Sequence, residues 1–483
     1  MFKFKTLFLF LFSIPLLTQC KDQSDETYNP PKVDEPTVEI PEVEHWLTTA
    51  NQSALLSKQS ESIEAYDSNL TTDITINSET KYQTIDGYGF AITGGSAQHL
   101  SEMSEAARGE LLNELFGLEE GQIGMSFIRI SLGSSDLNQA PYTYNDLTSR
   151  QTDMNLEQFS LQKDEAQLIP ILKDILDINP DIKIMASPWS APAWMKENQS
   201  LKGGSLAAEY HDVYAEYLLR YIKEMQEHGI SIGYLTVQNE PLHDGNNPSM
   251  YMEADQQIEF VKNSLGPLFS ENNIDTKLII YDHNPDRIDY PLTVLNDVDA
   301  KQYVDGSAFH LYGGDVDQLS VVRNAHQDKN IYFTEQWFGA PGNFSEDLKW
   351  HIREVVIGAQ RNWSKNVIEW NLSSNPSLTP HTDGGCSQCL GGITIDGDEV
   401  TRNAGYFVIG HVSKFVRPDA IRIASNYHDH LPNVAFLTPD NKVVLLVLNN
   451  SDSPQTFNVK NGENSFSTRL DAGAVSTYIF DNK

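Results

Sequence analysis

Ile182-Lys183-Ile184-Met185-Ala186-Ser187, then Tyr210, Val213, Tyr214, Tyr217, Leu218 and Tyr221 at helical spacing, then Tyr234-Leu235-Thr236-Val237-Gln238, is the stretch on which the fold turns. Its outer segments are short apolar runs of strand length. The residues between them recur every three or four positions and so line one face of a helix. A strand, a returning helix and a second strand form a βαβ unit, which joins parallel strands. The pattern repeats in both directions. The strand candidates are 84–92, 126–132, 182–187, 234–238, 277–281, 306–311, 330–334 and 366–370. Eight such units between residues 82 and 418 imply an α/β fold, a (β/α)8 TIM barrel. A doubly wound open sheet is the runner-up, but no glycine-rich phosphate loop supports it.

The pattern changes outside the barrel. Alternating segments at 434–437, 443–448, 456–459 and 477–480 predict a small antiparallel β-domain over 419–483. Residues 46–81 contain Asp73-Ile74-Thr75-Ile76-Asn77 and are expected to pair into it, because an isolated hairpin is marginal. Residues 21–45 are acidic, carry Pro30, Pro31, Pro36 and Pro41, and read as a flexible tether. Residues 1–20 read as a lipoprotein-type signal peptide: Lys3 and Lys5 precede an apolar run at 7–17 too short to span a bilayer. Leu17-Thr18-Gln19-Cys20 resembles a bacterial lipoprotein cleavage box, with Gln19 where a small residue is usual. The expectation is an exported protein lipidated at Cys20, on the cell surface or in the periplasm of a Gram-negative-type bacterium; plain secretion is the alternative. The 483 residues carry a formal net charge of -33, which repels phosphate backbones and anionic lipid and is indifferent to a neutral sugar. Nucleic acid is therefore not an expected partner, membrane contact is expected only through the anchor, and the chain is expected to be a monomer.

Catalytic groups in such barrels sit at the C-terminal ends of strands. Asn239-Glu240-Pro241 ends the fourth candidate and Thr334-Glu335-Gln336-Trp337 the seventh. Strands four and seven lie across an eight-stranded ring, so the two carboxylates can face each other. Hydrolysis of a glycosidic bond needs such a pair, one protonated to release the leaving oxygen and one ionised to attack. A glutamate after a strand is otherwise a surface residue or an ion-pair partner. The placement of both lifts them above that.

Around these residues the chain resembles glycoside hydrolase family 30, the family of glucosylceramidase. The matching motifs are Gly87-Tyr88-Gly89-Phe90-Ala91-Ile92-Thr93, Phe127-Ile128-Arg129-Ile130 with Ser134-Ser135-Asp136, Ser187-Pro188-Trp189-Ser190-Ala191-Pro192, Phe309-His310-Leu311-Tyr312, Trp370-Asn371-Leu372 and Gly410-His411-Val412-Ser413-Lys414-Phe415. The resemblance implies a barrel with an attached β-sandwich, and a retaining β-glycosidase acting on a β-linked glycan or glycoside without cofactor or metal, with Glu240 as acid/base and Glu335 as nucleophile. It further implies that Arg129 and Tyr312 hydrogen-bond Glu335, that Asn239 holds the 2-hydroxyl, and that Trp189 and Trp370 wall the sugar ring. Arg129 also reads as a structural ion pair, and either tryptophan as core.

One position departs from the resemblance: Gly94 stands where an aspartate that grips outer sugar hydroxyls is expected. That predicts altered recognition at O4 or O6, hence a β-fucosyl or β-galactosyl substrate beside the β-glucosyl one. Cys386 and Cys389 read as a disulfide in the loop after the eighth strand. His243, His283, His310 and His381 follow strands and read as sugar hydrogen-bonders. The other readings are an inert surface glycan-binding lipoprotein, an endo-β-glucanase of the same family, and a transglycosylase. An inert binder would have no reason to keep both carboxylates.

Overall fold

The computed structural model describes residues 40–60, 62–148 and 151–482, with Ser13. Cys20, the signal peptide and most of the expected tether lie outside the described residues. Eight parallel strands form the central sheet: β1 Gly87–Ile92, β2 Phe127–Leu132, β3 Lys183–Pro188, β4 Tyr234–Thr236, β5 Lys277–His283, β6 Val304–His310, β7 Asn330–Glu335 and β8 Asn366–Asn371. They neighbour one another in the order β7-β6-β5-β4-β3-β2-β1-β8. A parallel bridge between Ile331 and Ser364 joins β7 to the approach of β8. The Trp370 N–H donates to the Gln336 carbonyl at 2.8 Å and completes the ring.

Strand periodicity sets what fills the barrel. Side chains alternate between the interior and the surrounding helices. Phe127, Met185, Tyr234, Ala308, Tyr332 and Ile368 belong to one buried apolar layer. Two residues further along each strand stand Arg129, Ser187, Thr236, His310, Thr334 and Trp370. One apolar layer thus supports one polar layer at the C-terminal mouth. Helix His211–Glu227 turns Val213, Tyr214, Tyr217, Leu218 and Tyr221 onto the barrel, all buried, as its spacing predicts.

Both ends of the chain build the second module. Val43–Thr48 pairs antiparallel with Val475–Asp481, so the strand begins within the last residues expected to be tether. His45 and Thr48 of that stretch are buried against the module, which explains the difference. The long strand Asp73–Thr84 is the seam: it pairs antiparallel with Ile421–Ser425 and parallel with Gln455–Lys460. Ile74, Val443, Leu445, Val447, Phe457, Phe466 and Tyr478 pack between the layers as its own core. His411, on the helix Ala404–Ser413, binds Thr477 Oγ1 at 2.9 Å and Thr48 Oγ1 at 2.8 Å, fixing this module to the barrel.

Candidate active site

Arg129 is the hub of the mouth. Its fully buried guanidinium donates from Nε to Ser187 Oγ at 3.0 Å and from Nη2 to Asn239 Oδ1 at 2.6 Å and Asp282 Oδ2 at 2.9 Å. Nη1 donates to Glu335 Oε2. Asp282, also fully buried, accepts from Thr334 Oγ1 at 2.6 Å and His310 Nε2 at 3.1 Å. Burial opposes its charge, but Arg129 and His310 hold its carboxyl far below the usual range. The other ring nitrogen of His310, Nδ1, lies 3.1 Å from Glu240 Oε1. Burial works against a charge on His310 as well, yet Glu335, Asp282 and Glu240 outweigh it and raise its pKa to about 9. At neutral pH it is an imidazolium donating from both nitrogens.

The two glutamates are set by different devices. The Asn239 N–H donates to the Pro188 carbonyl at 2.9 Å and the Glu240 N–H to the Asp282 carbonyl at 3.0 Å. These bonds hold Glu240 at φ 44°, in the left-handed region, which costs a non-glycine residue about 1–3 kcal/mol. Glu335 ends β7 directly; the β6–β7 register slips beside it, with Phe309 facing Phe333 and His310 facing Glu335. Its Oε1 accepts from the Tyr312 hydroxyl at 2.9 Å. An oxygen of Glu240, an oxygen of Glu335 and a nitrogen of His310 lie within 4.8 Å of one another. These three have metal-ligand chemistry, but every one of them is already engaged by a hydrogen bond within the protein.

The pair is electrostatically coupled. Burial, joined by the Glu240 charge, pushes the Glu335 pKa up, against His310 and Arg129. Burial opposes ionisation of Glu240 too, but the His310 hydrogen bond draws it down. Sugar hydrolysis needs the reverse assignment. Direct bonds favour that reverse: Glu335 accepts from a guanidinium and a phenol, while Glu240 accepts from His310 and a long 3.3 Å bond from Asn246 Nδ2. One proton moved between neighbouring oxygens separates the two arrangements.

Above the carboxylates opens a cavity of about 370 Å³. Trp189, Trp337, Trp370 and Asp136 form one wall, and His243, Asn246, His283 and Asn284 another. Trp189 and Trp370 are only 2% and 4% exposed, their ring centroids 5.4 Å apart, and both lie against the Arg129 guanidinium. They are wall and core at once. Tyr312 lines the cavity, whereas Arg129 and Asn239 lie behind its lining. Cys386 and Cys389 are joined in a disulfide that is part of the wall.

Three expectations change. His310 is no free sugar-binder, since both its nitrogens are held by carboxylates. His381 lies outside the lining and donates to the Thr382 carbonyl. Gly94 does not reach the pocket either: a Cβ there would meet Asn138 Nδ2 at 1.9 Å, so an asparagine side chain fills that space. The argument for altered O4 or O6 recognition loses its footing. The carboxylate in the pocket is instead Asp136, which accepts from the Cys386 N–H at 3.0 Å. Burial, with the charges of Glu335 and Glu240, pushes its pKa up to about 6 against that bond. Asp282 was the other residue missed. Its place straight after the fifth strand is the signal that could have found it.

Residues 85–416 match the family model described as the glycosyl hydrolase family 30 TIM-barrel domain, and 419–478 that of its beta sandwich domain. The chain is 31% identical over 439 residues to an endo-1,6-β-D-glucanase of Aspergillus fumigatus, covering 85% of this chain and 87% of that one. It is 30% identical to putative glucosylceramidase 1 of Caenorhabditis elegans, covering 78% and 76%. The solved endo-β1,6-glucanase BT3312 superposes with a TM-score of 0.84 at 34% identity, over 91% of this chain and 99% of that one. Barrel, mouth and sandwich all fall within these matches, and the chain belongs to glycosyl hydrolase family 30 and is a glycoside hydrolase.

Proposed function

We propose that the enzyme cleaves β-1,6-linked glucan with retention of configuration, Glu335 acting as nucleophile and Glu240 as acid/base. Glu335 attacks the anomeric carbon as the bond to the leaving oxygen breaks, and Glu240 gives that oxygen its proton. Water then attacks the glycosyl-enzyme, Glu240 takes the water's proton, and Glu335 is released. The observation that carries this reading is that an oxygen of Glu240 and an oxygen of Glu335 lie within 4.8 Å of each other. Retaining pairs stand about 5 Å apart, whereas inverting pairs need about 6.5–9.5 Å to admit a water between them. Arg129 and Tyr312 stabilise the ionised nucleophile.

The glucan assignment draws on the names of the Aspergillus and BT3312 enzymes. The Caenorhabditis relative supports glucosylceramide as a second reading. The test is release of reducing sugar from β-1,6-, β-1,3- and β-1,4-glucan, with proton NMR following the first anomer formed. Initial β-anomer from β-1,6-glucan is expected; initial α-anomer would sink the mechanism. Products longer than the substrate would mark transglycosylation. We also propose export and lipidation at Cys20, on the sequence alone. Palmitate labelling lost in Cys20→Ser is the expected result, and an unlabelled wild type would overturn it.

A further inference from the structure

The two walls of the pocket differ in kind, and the β4–β6 wall holds an unspent group. His283 is 9% exposed, and its buried Nδ1 has no hydrogen-bond partner among the described residues. A buried polar nitrogen left unpaired is costly, so the site favours a ligand that pairs it. Local backbone aims it there. Tyr281 and Asp282 stand at φ 70° and 66°, and the β5–β6 register slips so that Ala308 faces Tyr281 but Phe309 faces His283. Such a bulge re-aims the next side chain, here into the mouth. Asn284 spends Oδ1 on the Tyr312 N–H at 2.8 Å and keeps its amide hydrogens free. Asn246 spends Nδ2 on Glu240 and keeps its carbonyl oxygen. His243, exposed, continues the same rim. No aliphatic side chain stands among these four. The opposite wall supplies the tryptophans and Asp136.

We propose that His283, with Asn284, Asn246 and His243, forms a subsite for the leaving group whose ligand is a sugar carrying ring hydroxyls, not an aryl or lipid group. This rests on the assignment of Glu240 as proton donor, since that wall flanks Glu240. Burial holds the His283 pKa down at about 4. The ring therefore stays neutral across the working range, with one nitrogen donating and the other accepting. A hydroxyl, itself donor and acceptor, suits it.

The experiment compares kcat/KM for β-1,6-linked gluco-oligosaccharides and for nitrophenyl β-gentiobioside in wild type, His283→Phe and His283→Asn. The second is followed by release of nitrophenol, a step in which the leaving group is aryl and not a sugar. For His283→Phe we expect about a tenfold or greater fall on the oligosaccharides and less than about threefold on the nitrophenyl substrate. His283→Asn, whose amide reaches where Nδ1 stood, should recover part of the loss; it also serves if the phenylalanine variant does not fold. Equal falls on both substrates, or no fall on either with Tm unchanged, overturn the subsite and leave the hydrolase reading intact. A wild type inert towards both substrates overturns the glucan assignment, and this subsite with it.

Discussion

The barrel buries charge at both ends, and the two ends treat it differently. At the N-terminal end Asp86 accepts from Lys183 Nζ at 2.9 Å and the Tyr234 hydroxyl at 3.0 Å, with Lys365 Nζ at 3.3 Å. The two lysine side chains keep 26% and 15% of their surface in water. At the C-terminal end Arg129 and Asp282 keep none and Glu335 only 8%. The apolar layer of Phe127, Met185, Tyr234 and Tyr332 separates the two sets. Solvent helps to carry the lower cluster. The upper one must be satisfied by protein alone, and there Glu240, Glu335 and Asp282 face Arg129 and His310. Stability does not call for such an arrangement, because well-packed apolar residues serve as well or better than buried ion pairs. A surplus of buried, coupled charge in a cleft is where chemistry is to be sought.

The largest effect expected from breaking that contrast is on rate. Glu335→Gln keeps the shape of the mouth and removes its nucleophile, so kcat should fall by about a thousandfold or more. Thermal unfolding should show no loss, because one of the crowded negative charges goes with it. A variant with near wild-type kcat would deny the upper cluster its chemistry. Arg129→Met comes next and acts on stability as well as rate. It strands Asp282 and Glu335 in a buried site, at a cost of about 3–5 kcal/mol in urea unfolding. A loss below about 1 kcal/mol would mean that the guanidinium does not hold the mouth together.

Asp136 tests the same contrast through pH. Its folded-state pKa of about 6 stands above the ordinary 3.8, so the folded protein keeps this proton where the unfolded chain has released it. The sign follows: any advantage present below pH 3.8 is lost as the pH rises through about 6. Asp136→Asn should therefore be more stable than wild type at pH 7.5, by about 1–3 kcal/mol, and no more stable at pH 3.5. Its activity should fall at both. Equal stabilities at pH 7.5 would show that the carboxylate is not confined by its surroundings.

Much of this was legible along the chain because period-two alternation and helical spacing are local. Each of the eight strand candidates overlaps one of the barrel strands, and Glu240 and Glu335 are legible because Glu335 closes β7 and Glu240 follows β4 by four residues. What joins Asp282 to Arg129 and His310 is register between β2, β5 and β6, including slips at Ala308–Phe309 and Phe309–His310 that no local pattern announces. Gly94 shows the converse error. An aspartate missing from a motif predicts a lost sugar contact, yet Gly94 is not in the pocket lining and Asn138, 44 positions on, fills the space beside it. Strands Ile421–Ser425 and Phe466–Leu470 were not anticipated at all, since Arg422, Ser467 and Thr468 break the apolar alternation and yet are buried by the partners they pair with.

The smallest expected effect bears hardest on the comparison. Lys183→Met removes one of two ammonium groups from Asp86 and leaves Lys365 and the Tyr234 hydroxyl in place. Lys183 begins β3, the strand that brings Ser187 to Arg129 four residues later, so strand and ring are shared and only the end differs. The Lys183 side chain is 26% exposed and Lys365 stays beside Asp86, so the pair is partly screened, and the cost should be about 0–1 kcal/mol, with kcat/KM unchanged. If instead it matched the loss in Arg129→Met, solvent at the lower end would be doing little and the two clusters would be alike structural ion pairs. The rate effects would then have to carry the distinction between the ends by themselves. A small cost here beside a large one at Arg129 places the difference in burial, at opposite ends of adjacent strands.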